Sequence, residues 1–144
     1  MLESIQSSSL GFVKKYQDFI TICFETANSA WICADASIHE EQSANLISAI
    51  KNCLNLAEIC TRTANILICS NELHEDQVHQ QLQLCQVACK NAIGALSIFA
   101  KQFEHSHICL SCCEDFLSVC NKYLKVVSAT NGQMKLKAFT PNKI

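Results

Sequence analysis

The stretch Glu104-His-Ser-His-Ile-Cys-Leu-Ser-Cys-Cys-Glu-Asp-Phe-Leu-Ser-Val-Cys120 carries four of the chain's eleven cysteines, and two histidines precede the first of them. Within it, Cys109, Cys113 and Cys120 recur at intervals of four and seven residues. This is the spacing of one face of an α-helix. The stretch therefore predicts the first turns of a helix whose buried face is lined with sulfur.

The composition of the whole chain also favours long helices. Of its 144 residues 49% are apolar and 17% are charged, and it has only three glycines and one proline. All-β folds need many turns, and turns need Gly and Pro. The chain is long enough for one domain with a substantial core. We therefore expect a few long helices joined by short connections.

Apolar residues recur every three or four positions over four segments, at about residues 10–38, 44–69, 76–103 and 105–129. Four such helices joined by short loops predict an all-α fold, an antiparallel up-and-down four-helix bundle. Asn131-Gly132 is the predicted end of the fourth helix. The bundle would be a single domain over residues 1–132, followed by a basic, loosely ordered tail over residues 133–144.

Charge and terminal features bear on location and partners. The net charge of −2 gives no reason to expect a nucleic-acid partner. The first residues lack the basic and apolar regions of a signal peptide, and no apolar run approaches the length of a membrane span. We therefore expect a cytoplasmic protein with no membrane partner, in a compartment where thiols stay reduced. The odd number of cysteines excludes complete pairing in internal disulfides.

Nine cysteines lie on or beside the predicted core stripes: Cys23, Cys33, Cys53, Cys60, Cys85, Cys89, Cys109, Cys113 and Cys120. Three roles are open to them. Free cysteine packs as a small hydrophobic residue, so a structural or interaction bundle without metal is one explanation. Thiolates are soft ligands, so a Cu(I) site is the second. A thiol redox sensor is the third, and it needs an accessible cysteine of low pKa, for which Cys69, Cys112 and Cys113 are the candidates.

Two pairs of cysteines favour a metal site. Cys85 with Cys89, and Cys109 with Cys113, are spaced by four residues, which places both sulfurs of a pair on one helix face. Cu(I) accepts two or three thiolates, so one pair can hold an ion, whereas zinc prefers four ligands. Cys109 and Cys112 have zinc-like spacing, but no second Cys-x-x-Cys is present to complete a four-thiolate site.

Enzymatic chemistry is not indicated. A ferritin-like di-iron site needs Glu-x-x-His twice, and only Glu104 with His107 matches that motif. A nucleophilic cysteine needs a paired histidine with an orienting group, and no oxyanion device or glycine-rich turn accompanies His105 or His107. We therefore expect no catalytic residues and no enzyme.

Four segments carry a resemblance to a known family: Cys33-Ala-Asp-Ala-Ser-Ile-His-Glu-Glu41, Cys53-Leu-Asn-Leu-Ala-Glu-Ile-Cys60, Leu84-Cys-Gln-Val-Ala-Cys89 and His105-Ser-His-Ile-Cys109. They resemble the bacterial four-helix-bundle copper-storage proteins, which are cytosolic, cysteine-lined bundles that load Cu(I) into their core. The resemblance covers about residues 20–125. Members have a similar Cys-Ala-Asp-Ala-Cys followed by Glu-Glu, a Cys-Ala-Asp-Ile-Cys in the second helix and a His-x-His before the fourth.

The resemblance implies a cytoplasmic Cu(I)-binding store that holds copper through core thiolates. The copper ligands that it implies or leaves as candidates are Cys85, Cys89, Cys109, Cys113, Cys120, Cys53, Cys60, Cys23, Cys33 and Cys112. It also implies that His105 and His107 lie at one end of the bundle and help copper in. The partners would be copper ions and a copper carrier or chaperone.

The chain departs from the family at several core positions. Ser37 replaces the second cysteine of Cys-Ala-Asp-Ala-Cys, and Leu56 stands where a cysteine would pair with Cys60. Helix one has Thr26 and Ala30 where a pair is expected. We therefore expect reduced capacity, with copper where the pairs of helices three and four meet and dry apolar packing elsewhere. Packing of flat helix faces favours a homo-oligomer.

Overall fold

The structure, a computed structural model, describes the backbone of residues 2–69 and 74–139 and the side chains of residues 15–69 and 74–127. Its α-helices are α1 (Leu2–Ile38), α2 (Ile47–Cys69), α3 (Glu75–Ser97) and α4 (Glu104–Phe139), and a 3-10 turn over Ser43–Leu46 precedes α2. Neither of the two described ranges contains a strand. The predicted all-α class is confirmed.

The four helices pack around one core. α1 packs against α2 and α4, and α3 packs against the same two helices, which leaves α1 and α3 diagonal to each other. Each helix therefore has two neighbours, as the predicted four-helix bundle requires. Within the described ranges, no helix is long and apolar enough to cross a membrane.

Two helix boundaries differ from the sequence pattern. α1 begins at Leu2, and α4 continues through Asn131-Gly132 to Phe139. One glycine inside a helix costs about 1 kcal/mol relative to alanine, so it weakens the helix without having to end it. Residues 140–144 of the predicted tail lie outside the described residues. The domain limit at residue 132 and the loose order of the tail stay predictions.

The connection between α3 and α4 also differs, because α3 ends at Ser97 rather than near Phe103. The chain tightens there through backbone bonds from Phe99 N to the Leu96 oxygen (3.0 Å) and from Gln102 N to the Phe99 oxygen (3.0 Å). Bonds of this i→i+3 type are common where a helix terminates. The turn brings the ring of Phe103 onto the ring of His105, with centroids 5.3 Å apart.

One end of the bundle is packed with apolar side chains. Tyr16, Leu67, Val78 and Val127 come from the four different helices, and none is more than 2% exposed. Each lies seven residues, or two helical turns, from a core cysteine of its own helix: Cys23, Cys60, Cys85 and Cys120 respectively. Full burial of a large apolar side chain stabilises a fold by roughly 1.5–3 kcal/mol. We call this set the apolar end layer.

Candidate metal centre

Nine of the eleven cysteines are buried, and they are the nine that the sequence places on or beside the core stripes. Cys112 is half-buried and Cys69 is exposed. The two cysteines outside the core lie on different helices. Cys69 is the last residue of α2, and Cys112 lies within α4. All eleven thiols are free.

Three of the buried thiols form a compact group. The Sγ atoms of Cys33, Cys53 and Cys109 all lie within 4.8 Å of one another, and the residues come from α1, α2 and α4 respectively. Sulfurs at this separation can converge on a single ion with small side-chain adjustments, because a metal–thiolate bond is about 2.3 Å long. We call these three residues the upper thiol group.

The thiols of the upper group hydrogen-bond to one another. Cys53 is hydrogen-bonded to Cys109 and to Cys33, and these bonds, together with burial, raise its pKa well above the ordinary thiol value. A thiol with a raised pKa keeps its proton at neutral pH. A metal ion that binds here must therefore displace protons, which ties its affinity to pH.

A second group contains one thiol from each helix: Cys23, Cys60, Cys85 and Cys120. Cys23 is hydrogen-bonded to Cys60 and to Cys85, and these bonds with burial raise its pKa strongly. Burial, followed by the proximity of Cys85 and Cys60, raises the pKa of Cys120. We call these four residues the deep thiol group, because each lies two helical turns from the residue of the apolar end layer on its own helix.

Cys85 differs from its neighbours in the deep thiol group. The hydrogen bond from Cys23 lowers its pKa, burial opposes this effect, and a contact with Thr63 lowers the pKa further. The Thr63 hydroxyl oxygen lies 3.2 Å from the Cys85 sulfur and is itself buried. In the deep thiol group, the surroundings of Cys85 therefore favour the thiolate, whereas the surroundings of Cys23 and Cys120 favour the protonated thiol.

Cys89 and Cys113 connect the two groups. The Cys89 thiol donates a hydrogen bond of 3.0 Å to the Cys113 carbonyl oxygen. A hydrogen bond with Cys109 lowers the pKa of Cys113. The hydrogen bond with Cys89 and burial outweigh this effect, so the pKa of Cys113 is raised. Because Cys109 belongs to the upper group and Cys85 lies one turn from Cys89, the buried sulfurs form a continuous column along the core.

His105 lies beside the upper thiol group. Its Nδ1 atom is 3.7 Å from the Cys33 sulfur, and its Nε2 atom is 3.1 Å from Oε1 of Glu40. The ring stacks on Phe103 at an interplanar angle of 21°. Stacking on one face and bonds at both nitrogens hold the imidazole in one orientation.

A surface cleft of about 360 Å³ leads to this histidine, and its lining includes Cys33, His105, Ile32 and Ile108. His107, in contrast, is exposed. The structure therefore places one of the two predicted uptake histidines against a core thiol, and the other on the surface.

The substituted family positions are all part of the core. Thr26, Ala30, Ser37 and Leu56 are each 0% exposed. The sequence predicted copper where the cysteine pairs of α3 and α4 meet, and one hydrogen bond, from Cys89 to Cys113, joins these pairs. The upper thiol group, in contrast, joins α1, α2 and α4. The copper ligands themselves stay predictions. Spacing along a helix does not determine which helices supply neighbouring sulfurs.

Sequence reasoning missed Thr63 and Glu40 as neighbours of the site. Thr63 lies three residues after Cys60, on the same stripe of α2, and this spacing was the available signal. Glu40 belongs to the Glu-Glu pair that the family shares, which was the available signal, but its contact with His105 spans 65 residues of sequence.

Comparisons with known proteins agree with this geometry. The sequence pattern of the family described as copper storage protein matches residues 13–125. A cytosolic copper storage protein from Streptomyces lividans, in a structure described as copper loading with five coppers, is 26% identical, with a TM-score of 0.71 over 74% of this chain and 88% of that one.

The structure of the Streptomyces lividans copper storage protein Ccsp loaded with 10 copper equivalents matches similarly, with 26% identity, a TM-score of 0.71 and coverage of 74% of this chain and 80% of that chain. A search of curated protein sequences finds no significant match. The family match spans well over half of the 144 residues and includes all nine buried cysteines. The chain belongs to the copper storage protein family.

Proposed function

We propose that this protein stores copper as Cu(I) on the thiolates of its core and that the upper thiol group is the first site to fill. The observation that carries the proposal is the convergence of Cys33, Cys53 and Cys109, whose sulfurs lie within 4.8 Å of one another. Thiolate is a soft ligand that favours Cu(I) over hard cations. Three thiolates from three helices supply a complete trigonal set without a fourth ligand.

Copper binding at this group requires the loss of thiol protons. Cys53 has a raised pKa because of its bonds to Cys109 and Cys33 and its burial, so protons compete with Cu(I) for the same sulfurs. The affinity for copper is therefore expected to fall as the pH falls.

The route that we propose for copper begins at the cleft beside His105. This is where a core thiol, Cys33, lies within 3.7 Å of an imidazole nitrogen. From the upper group the ion would pass to Cys113 and Cys89, and then to the deep thiol group. The apolar end layer offers no sulfur or nitrogen ligand, which favours a single direction of filling. His107, on the surface nearby, would act earlier than His105.

The remaining parts of the proposal concern capacity and context. Nine buried thiols, with oxygen or hydrocarbon at Thr26, Ala30, Ser37 and Leu56, support a store of reduced capacity. The Streptomyces lividans relative is described as cytosolic, which supports a cytoplasmic location. We propose that a carrier or chaperone delivers the copper there. Storage needs no chemical transformation, so the proposal includes no enzymatic activity.

Exposed apolar side chains support association of copies of the chain. Ile32, Val87, Ile98 and Ile108 are each more than half exposed. Sedimentation analysis of the apo and copper-loaded protein would determine the number of subunits. A monomer at micromolar concentration in both states would refute this part of the proposal.

The experiment that tests the proposed function is a Cu(I) titration of reduced apo-protein against a competing chromophoric chelator. We expect wild type to remove copper from the chelator. A Cys33→Ser/Cys53→Ser/Cys109→Ser variant should lose the tightest-bound ion, whereas Cys69→Ser, which removes an exposed thiol, should titrate as wild type does.

Failure of wild type to remove any copper would refute storage. A triple variant with an unchanged first binding step would leave storage intact and refute the upper group as the first site. Circular dichroism of each variant verifies that the helical content is retained.

A further inference from the structure

We propose that Thr63, held by Gln81, is a positioning residue for copper in the deep thiol group, because its hydroxyl donates a hydrogen bond to the Cys85 sulfur once that sulfur binds Cu(I). The inference rests on the proposed function and concerns residues that do not themselves bind metal. It is based on the hydrogen-bond partners of the buried Thr63 hydroxyl.

The Thr63 hydroxyl has three close partners. Its oxygen lies 2.7 Å from the Ile59 carbonyl oxygen, 2.8 Å from Nε2 of Gln81 and 3.2 Å from the Cys85 sulfur. Thr63 is 1% exposed, so water does not compete for these bonds. A hydroxyl carries one proton and two lone pairs, which matches three partners in number.

The chemistry of the partners assigns the proton. A carbonyl oxygen only accepts, so the hydroxyl donates to Ile59, as threonine commonly does toward the carbonyl four residues earlier. The Gln81 amide only donates through Nε2. The second lone pair is then left for the Cys85 S–H, which donates to it. Before copper binds, every group in this network has a partner.

Copper binding changes the group to which the Thr63 hydroxyl donates. When Cu(I) binds Cys85, the thiol proton leaves to the solvent and a Cu–S bond takes its place. The thiolate sulfur no longer has a proton to donate, so an oxygen lone pair at 3.2 Å becomes a repulsive neighbour. The repulsion is removed if the hydroxyl turns its proton from Ile59 to the sulfur. This rotation gives up the hydrogen bond to the Ile59 carbonyl, so the two oxygens, now 2.7 Å apart, must move apart slightly. A hydrogen bond to a charged acceptor is about twice as strong as one between neutral groups.

Gln81 keeps the Thr63 oxygen close to the sulfur during this rotation. Its amide continues to donate to Thr63, so the oxygen keeps one hydrogen-bond partner while its proton changes direction. Gln81 is half-buried on α3, one turn before Cys85, and thereby links the sulfur's own helix to α2. Outer groups that orient a metal ligand in this way typically contribute 10–100-fold to metal affinity.

The test compares Thr63→Val with Thr63→Ser. Valine has nearly the shape of threonine without the hydroxyl, and serine retains the hydroxyl without the methyl. Thr26→Val is the matched control, because Thr26 is equally buried but its hydroxyl faces Cys112, at 3.9 Å, instead of a thiol of the deep group. All variants are made in the full chain and also in a Cys33→Ser/Cys53→Ser background, in which the four deep thiols outnumber the three other buried thiols that remain, Cys89, Cys109 and Cys113.

Two quantities are measured with Cu(I) as the probe: the affinity from chelator competition and the ultraviolet copper–sulfur charge-transfer band. We expect Thr63→Val to bind deep-group copper about tenfold or more weakly and to shift the band to longer wavelength. Thr63→Ser should restore both quantities, and Thr26→Val should change neither. A packing effect alone would weaken binding without shifting the band and would not be repaired by serine.

The inference is overturned if Thr63→Val matches wild type in both quantities, or if Thr63→Ser behaves as Thr63→Val does. Equal effects of Thr26→Val and Thr63→Val would also overturn it. These outcomes differ from failure of the proposed function, in which wild type itself takes no copper and both proposals fall. If the double-serine background does not fold, the comparison in the otherwise unchanged chain gives the band shift.

Discussion

The protonated state of the buried thiols predicts how the stability of the apo-protein depends on alkaline pH. Cys120 is fully buried, and burial, together with nearby Cys85 and Cys60, raises its pKa above the ordinary value of 9.0. In the folded protein its thiol stays protonated at pH 10, whereas in the unfolded chain it ionises. A group with a raised pKa in the folded state contributes its stability below the unfolded pKa and loses it as the pH rises.

The magnitude follows from the unfolded state alone. An unfolded thiol with a pKa of 9.0 gains about 1.4 kcal/mol from ionisation at pH 10 and close to nothing at pH 8. Cys120 should therefore account for a loss of about 1.4 kcal/mol in the free energy of unfolding between these two pH values. Cys120→Ala should lose that much less than wild type over the same interval.

Urea unfolding of the reduced apo-protein at pH 8 and pH 10, followed by circular dichroism, measures this difference. Subtracting the variant from wild type removes the contributions of titrating groups that do not interact with Cys120. Cys69→Ala, which removes an exposed thiol, is the control for the substitution itself. Equal losses for wild type and Cys120→Ala would refute the reasoning.

Three further predictions concern packing, uptake and reactivity. Phe116→Ala removes a buried ring that stacks on Phe19 at a centroid distance of 5.8 Å, and it should cost about 3–5 kcal/mol in urea unfolding; a loss below 1 kcal/mol would contradict that packing. His105→Ala should slow copper transfer from a chelated donor in stopped-flow mixing more than His107→Ala does, because only His105 contacts a core thiol; equal rates for the two variants would remove the special role of His105. In native apo-protein at pH 8, mass spectrometry should find Cys69 alkylated first and the nine buried thiols last; rapid labelling of Cys33 would show that the upper group is open to solvent.

The fold could be predicted from the sequence because it depends on one-dimensional information. Stripes of apolar residues at three- and four-residue spacing determine which face of each helix is buried, and short connections leave few arrangements. The same stripes predicted which nine cysteines enter the core. The helix ends were less predictable, since Asn131-Gly132 lies within α4 and the turn after Ser97 depends on backbone bonds that no single residue type dictates.

The grouping of the sulfurs could not be predicted from spacing. Cys109 and Cys113 are neighbours on α4 whatever the fold, but the contact of Cys109 with Cys33 and Cys53 depends on how far α1 and α2 slide relative to α4. That register depends on the connections from α1 to α2 and from α3 to α4 and on the packing of the apolar end layer. Thr63 is an intermediate case. The sequence shows that it lies on the α2 stripe, but its contact with Cys85 could be recognised only from the position of α3 in the structure.

The central claim is that the first copper binds among Cys33, Cys53 and Cys109, and the most direct measurement is anomalous diffraction at the copper edge from crystals of the protein loaded with one equivalent of Cu(I). We expect a single peak between the three sulfurs, at about 2.3 Å from each, since that is the usual length of a metal–thiolate bond. A peak in the deep thiol group, a peak on the surface at Cys69, or copper spread over many sites would contradict the claim.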